Sequence, residues 1–186
     1  MAILIIALLL SSCGGNPAPI PANLSGYTTT DLTDNAALAQ RFDVTGRLLE
    51  NGYIVNGNKS GQWTVYDGEG KITMSTNYIG GMKNGEELTF SSRGQIESRN
   101  SYMNNQLHGL CGKYKNGRAT EEISYKNGQF DGATKKYFNN GKLQQEITFK
   151  NGKQDGPFRY FDEEGNVTLE YVYKNGEKVS GGIVEK

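Results

Sequence analysis

The chain of 186 residues has a single histidine and two cysteines. These are too few for a side-chain zinc set or a dense disulfide framework. It has no net charge, with 20 basic residues against 20 acidic ones. That balance argues against nucleic-acid binding, which needs a cationic face to displace counterions from phosphates. Hydrophobic residues make up only 35% of the chain, which is low for a large closed core. Long apolar runs are missing too. The longest, Ala2 to Leu10, falls well short of the roughly 20 residues that a membrane-spanning helix needs. What the sequence does have is glycine, 25 residues, and tyrosine, 11 residues.

The run from Ala2 to Leu10 has the length of a signal-peptide apolar core. The following Leu10-Ser11-Ser12-Cys13 resembles the lipobox of bacterial lipoproteins. That resemblance implies cleavage before Cys13, lipidation of its thiol and acylation of the new amino group. Two or three acyl chains hold a protein durably at a membrane, where one holds it only marginally. No Lys or Arg precedes the run, a departure from the usual basic start. A buried strand ending in Cys13 is the competing reading. Gly14, Gly15, Pro17, Pro19 and Pro21 follow, and such residues suit a tether better than a helix or central strand. The chain therefore divides into a lipoprotein signal peptide (1–12), a flexible tether (13–33) and a folded array (34–186). By resemblance to lipoprotein sorting, Gly14 in place of Asp after the cysteine favours the outer membrane or cell surface.

The array repeats with a period of 24 residues, or 23 across one deletion. Gly61, Tyr66, Gly70 and Tyr78 recur as Gly85, Phe90, Gly94 and Tyr102, and later as Gly156, Phe161, Gly165 and Tyr173. Repeats start at 57, 81, 105, 128 and 152. A half repeat (42–56) precedes them and a terminal fragment (176–186) follows. Even spacing after the second glycine, as in Ile72 and Tyr78 or Ile96 and Tyr102, is that of a strand with one buried side. Asn-Gly pairs at Asn56-Gly57, Asn127-Gly128, Asn151-Gly152 and Asn175-Gly176 suit type I′ hairpin turns. The expected fold is all-β. Tandem antiparallel hairpins, each marginal alone, bury their aromatic columns against neighbours in an elongated single-sheet or solenoid-like array. Within residues 22–41, Asp34 suits the cap of a short helix over Asn35–Gln40. Alternatively, Thr33 and Ala37 mark a decayed first repeat. An irregular capping segment is the preferred reading.

The pattern best developed from Lys150 through Tyr173 resembles the MORN-repeat variant of bacterial YwqK-type proteins. The resemblance implies the fold, and a role either as an antitoxin or in scaffolding, membrane association and protein contact. It carries no catalytic residues.

The chemical candidates are thin. His108, in a turn, has no recurring carboxylate or nucleophile beside it. The pairs Glu86-Glu87 and Glu121-Glu122 point to opposite sides of a strand, where a glycosidase needs two carboxylates facing one substrate. Glu163-Glu164 suits a solvated turn. Asp67, Glu69, Asp162 and Glu164 lack the close oxygen spacing of a calcium loop. Cys111 stands in the column of Trp63 and Phe158, as a small apolar filler. Trp63 and Tyr66 form a candidate binding platform, or Trp63 fills the hairpin stack. From 111 to 153 there are nine basic and four acidic residues, either a cationic stripe or edge protection. The expectation is thus a non-enzymatic, lipid-anchored envelope protein without metal or cofactor. It meets the membrane through Cys13 and presents a surface to a protein partner. A toxin-neutralising immunity protein is the alternative, and an envelope carbohydrate enzyme a remoter one.

Overall fold

The computed structural model describes residues 22–184. The expected signal peptide, Cys13 and the first part of the tether lie outside the described residues. Fifteen strands follow in chain order. They are β1 (Thr28–Thr33), β2 (Ala36–Phe42), β3 (Leu48–Val55), β4 (Asn58–Tyr66), β5 (Ile72–Ile79), β6 (Met82–Phe90), β7 (Ile96–Met103) and β8 (Gln106–Leu107). Then come β9 (Gly109–Lys115), β10 (Arg118–Lys126), β11 (Gln129–Tyr137), β12 (Leu143–Lys150), β13 (Lys153–Phe161), β14 (Val167–Lys174) and β15 (Glu177–Ile183). They form one open antiparallel sheet in which each strand pairs with the next. Only the short β8 departs from this, pairing with β7 alone. The edges are β1 and β15, and no helix occurs among the described residues.

Turn chemistry sets this meander. Asn56 and Gly57 have φ of 51° and 76°, and Asn151 and Gly152 have 49° and 78°. Both central residues are in the left-handed region, as a type I′ turn requires. The other sheet end uses longer turns. Asp67 N–H donates to the Lys71 carbonyl (2.9 Å), while Asp67 Oδ1 accepts from the N–H groups of Glu69 (2.8 Å) and Lys71 (2.9 Å). Asn116-Gly117 replaces this longer turn with a second tight one, φ 52° and 75°. That substitution is the physical origin of the 23-residue repeat.

Two expectations are corrected at the N-terminus. The tether was expected to run to residue 33, whereas strand pairing begins at Thr28, with Thr28 opposite Gln40 and Leu38 opposite Thr30. Nor is there a helix or irregular cap over 34–41. Asp34 and Asn35 turn the chain into β2, so a decayed repeat is what stands there. Its β-branched Thr28, Thr29 and Thr30 suit an exposed edge strand.

Pairing also separates the aromatic columns. Residues directly opposite share a face. The row Trp63–Thr76–Glu87 on β4 to β6 and the row Cys111–Ile123–Thr134–Ile147–Phe158–Tyr171 on β9 to β14 lie on one side, face A. Tyr78, Tyr102, Tyr125, Phe149 and Tyr173 belong to the same side by their even spacing from this row. Tyr66 stands three residues from Trp63, an odd spacing, and so lies on the opposite side, face B. The Tyr66 hydroxyl donates to Asn51 Oδ1 there (3.4 Å). The two aromatic columns thus lie on opposite sides of the sheet. Ile72 and Ile96, expected on the buried side, are 43% and 39% exposed. They sit beside the turns, where the register shifts after Val65 and Thr89.

The best-formed core is on face A of the first strands. Ala39, Ile54 and Trp63 are buried, with Ala22, Leu24, Tyr27 and Tyr78 packed against them. Gly52 lies beneath Trp63, and residues 22–27 cover it from above.

A candidate interaction face

Trp63 is only 2% exposed. Its indole N–H donates to the Tyr53 carbonyl (3.1 Å). The Tyr27 ring meets it edge-on at 5.9 Å and the Tyr78 ring at 6.5 Å. Lys59 Nζ lies 3.7 Å from its ring centroid. The platform expected from Trp63 and Tyr66 is therefore not assembled. Trp63 is core on face A, and Tyr66 is half-buried on face B.

Beside Trp63 lies a polar cluster that the sequence reading missed. Glu50 pairs with Arg41 (3.2 Å) and Lys59 (3.1 Å). Burial pushes its carboxyl up, yet its bonds to Tyr27, Lys59 and Arg41 leave it below the usual range. Burial raises Tyr27, and its bond to Glu50 raises it further. Farther along, Glu87 is buried and ion-paired to Lys83. It also accepts from Thr76 (3.1 Å) and from the Tyr102 hydroxyl (3.3 Å). Burial opposes its ionisation, but Lys83 and Thr76 hold it below the ordinary carboxylate range. Burial, then the Glu87 charge, pushes Tyr102 up to about 12. Glu87 stands two residues after Gly85, in the column that holds Trp63, Cys111 and Phe158. Its place in that column is the one sequence signal that points to it.

The adjacent acids fall on opposite faces. Glu86 pairs with Arg99 on face B, while Glu87 turns into face A. Glu121 pairs with Lys113 (2.8 Å), and Glu122 accepts from the Tyr137 hydroxyl on face B (2.6 Å). His108 Nδ1 lies 3.1 Å from Asn127 Oδ1 in an exposed turn. Cys111 is buried, and burial pushes its thiol up, away from the reactive thiolate. Among the described residues no group of three His, Cys, Asp or Glu is placed to hold a metal ion, and no helix is long and apolar enough to cross a membrane.

Face B carries an alternating charged row across β10 to β14. Glu122, Lys135, Glu146, Arg159 and Glu170 stand opposite one another in turn, and Arg159 bridges both Glu146 and Glu170. Tyr137 anchors the start of this row through Glu122, and burial followed by that bond raises its phenol. A Tyr137→Phe substitution deletes one charge-assisted hydrogen bond at a half-buried site. It is expected to cost about 1–2 kcal/mol, measured as a shift in the urea midpoint, whereas Lys136→Ala changes stability by less than about 0.5 kcal/mol.

Face A of the last third carries partly exposed aromatic rings, with the Lys178 ammonium 4.0 Å from the Tyr171 ring centroid. Tyr125 and Phe130 rings lie 5.1 Å apart, and Phe130 and Phe149 again 5.1 Å. Phe158 meets Tyr160 at 5.0 Å, Tyr171 at 6.1 Å and Tyr173 at 6.3 Å. Most of these rings are half-buried, and Tyr160 is exposed. Together they form a strip of aromatic surface across five strands.

The sequence of this region matches a known repeat. The family model described as MORN repeat variant matches residues 130–151 and 154–175. No curated protein matches the chain. Among solved structures, the chain is similar to an S. aureus TarM mutant in complex with fondaparinux, alpha-GlcNAc-glycerol and UDP. The identity is 8%, with 85% of this chain and 22% of that chain covered, at a TM-score of 0.30. It is likewise similar to a second TarM structure at 10% identity, with the same coverage and TM-score. The chain spans about a fifth of those proteins, 22% of each, and likeness at that score carries no argument about fold or function. Residues 130–151 and 154–175, which hold most of the aromatic strip, match the MORN repeat variant.

Proposed function

We propose that this is a non-enzymatic, lipid-anchored protein of the cell envelope that presents an extended sheet surface to a protein partner. One observation carries the reading. Face A is covered by the chain's own residues 22–27 at Trp63 but left open over the aromatic strip from Tyr125 to Tyr173. Aromatic residues concentrated on one surface are the usual anchors of protein interfaces. The scatter of acids onto opposite faces supports a role without chemistry. The Leu10–Cys13 motif supports attachment at Cys13, with the outer membrane or cell surface as destination.

Crosslinking in living cells followed by affinity capture of the protein tests this, run beside Cys13→Ala. Capture of a specific protein from the membrane fraction, lost when Cys13→Ala releases the chain, is the expected result. Identical partners and soluble behaviour in both would overturn the anchor. A captured protein that is itself toxic would identify the chain as an immunity protein of the YwqK type.

A further inference from the structure

The chain contains both a covered and an uncovered version of the same surface. Four repeats, 95 residues, separate them in the sequence. By that shift Ile54 corresponds to Phe149, Trp63 to Phe158 and Tyr78 to Tyr173. At the first position, residues 22–27 lie on face A. Ala22 N–H donates to the Gly57 carbonyl (3.3 Å), and Tyr27 N–H donates to the Leu24 carbonyl (3.0 Å). Ala22, Leu24 and Tyr27 pack on the core, and the Arg41 guanidinium stands 5.9 Å from the Tyr27 ring centroid. Phe149, Phe158 and Tyr173 are half-buried with no such segment among the described residues packed on them, and the Lys178 ammonium stands 4.0 Å from the neighbouring Tyr171 ring centroid.

The charges at the two places differ in a way that specifies the missing occupant. Glu50 neutralises Arg41 and Lys59 at the covered site. Shifted by four repeats, Arg41 becomes Lys136, Glu50 becomes Gln145 and Lys59 becomes Gln154. The cation is kept and the carboxylate at the Glu50 position is gone; Glu121, opposite Lys136 on β10, is paired to Lys113 (2.8 Å). Lys136 is exposed and, among the described residues, makes no ion pair. The surrounding stretch 111–153 carries nine basic residues against four acidic, so a guest of negative charge is favoured.

We infer that the aromatic strip over Phe149, Phe158 and Tyr173 docks a short extended segment of another protein, with an aliphatic residue, an aromatic residue three positions later and a carboxylate beside the ring to meet Lys136. The inference rests on the partner-binding reading above and adds the chemistry of the partner. The internal segment Ala22–Tyr27 is its template. The guest ring sits at the corner formed by Lys136, Gln145 and Phe158, as Tyr27 sits by Arg41, Glu50 and Trp63.

The test uses the full chain and a fluorescein-labelled peptide, Glu-Ala-Asn-Leu-Ser-Gly-Tyr-Glu, followed by fluorescence anisotropy at low salt. Saturable binding is expected. Lys136→Glu should weaken it about tenfold, a difference of about 1.4 kcal/mol, and a peptide with Lys in place of both Glu residues should recover affinity for that variant. Lys136 is exposed, so the variant keeps its fold, with a small cross-strand cost from Glu121 opposite that a urea midpoint measures separately from binding. Equal binding to wild type and Lys136→Glu, or no saturation up to about 1 mM peptide, overturns the inference. So does concentration-dependent self-association abolished by Lys136→Glu, which would make a second copy the occupant, or binding to anionic phosphatidylglycerol vesicles with the same dependence. The two readings fail separately. A crosslinked partner retained unchanged by Lys136→Glu removes the docking strip and leaves partner binding intact, whereas no captured partner removes the broader reading.

Discussion

Gly52→Ala is expected to dismantle the first third of the sheet. A Cβ at residue 52 would stand 2.2 Å from Trp63 Cδ2 and 2.3 Å from Cε2, far inside van der Waals contact. The ring cannot slide away. Its N–H is held by the Tyr53 carbonyl, and Tyr27, Tyr78 and Lys59 surround it. Expelling a buried Trp costs about 3–5 kcal/mol, against a total stability of about 5–15 kcal/mol for an ordinary domain. Because stability in a repeat array is a sum over units and their interfaces, the loss should stay local. Trp63 is the chain's single Trp, so its fluorescence reports this region alone. The expected result is a fluorescence transition at much lower temperature, with a circular-dichroism transition of β10 to β15 little changed. Gly70→Ala is the control. Its φ is +81°, but nothing lies within 4 Å of the added carbon, so only the left-handed backbone penalty of about 1–2 kcal/mol applies. Equal melting of Gly52→Ala and wild type would show that the Trp63 seat is not needed.

That seat marks where the sequence stops being legible. The Asn-Gly turns could be read directly, since only a few residues accept two successive positive φ angles. The observed 51° and 76° at Asn56 and Gly57 are those of the expected turn. The repeat period and the opposed adjacent acids followed from glycine spacing and strand alternation. Gly52 lies outside the recurrent glycine columns, and its role depends on a ring eleven residues away. Contacts of that kind require the register, which bulges such as the shift between Asn51 and Tyr53 alter locally. The cover formed by Leu24 and Tyr27 was unreadable for a related reason. A polar segment rich in Ser and Thr next to a Pro-rich stretch has the composition of a linker, and only three-dimensional proximity gives its two apolar residues a partner. Parity did hold the information that Tyr66 and Trp63 face opposite ways. Pairing Trp63 with Tyr66 as one platform passed over it.

Lys83→Met should produce the second large effect, and its pH dependence identifies the cause. Glu87 is 7% exposed, and Lys83 is its ion-pair partner. Removing the ammonium leaves a buried carboxylate held only by the neutral groups of Thr76, Tyr102 and Asn100. Breaking a buried pair in this way costs about 3–5 kcal/mol. The Lys83 side chain is 31% exposed, so water reaches the site and about 2–3 kcal/mol is expected at pH 7 by urea denaturation. In the wild type the folded Glu87 carboxyl lies below its unfolded value. Its stabilisation is therefore fully present above the ordinary carboxylate range and is lost as pH falls through the folded value. In Lys83→Met burial acts without its counterweight, and the folded carboxyl rises above the unfolded one. The variant's penalty is then relieved as pH falls, because the buried group takes up a proton. The two stability curves should converge between about pH 7 and pH 4. Glu87→Gln, which keeps an oxygen for Thr76 but carries no charge, should abolish the convergence when combined with Lys83→Met. A gap that stays constant from pH 7 to pH 4 would mean that Lys83 contributes through the packing of its aliphatic stem over Tyr102, where its Nζ lies 4.9 Å from the ring centroid, and not through its charge.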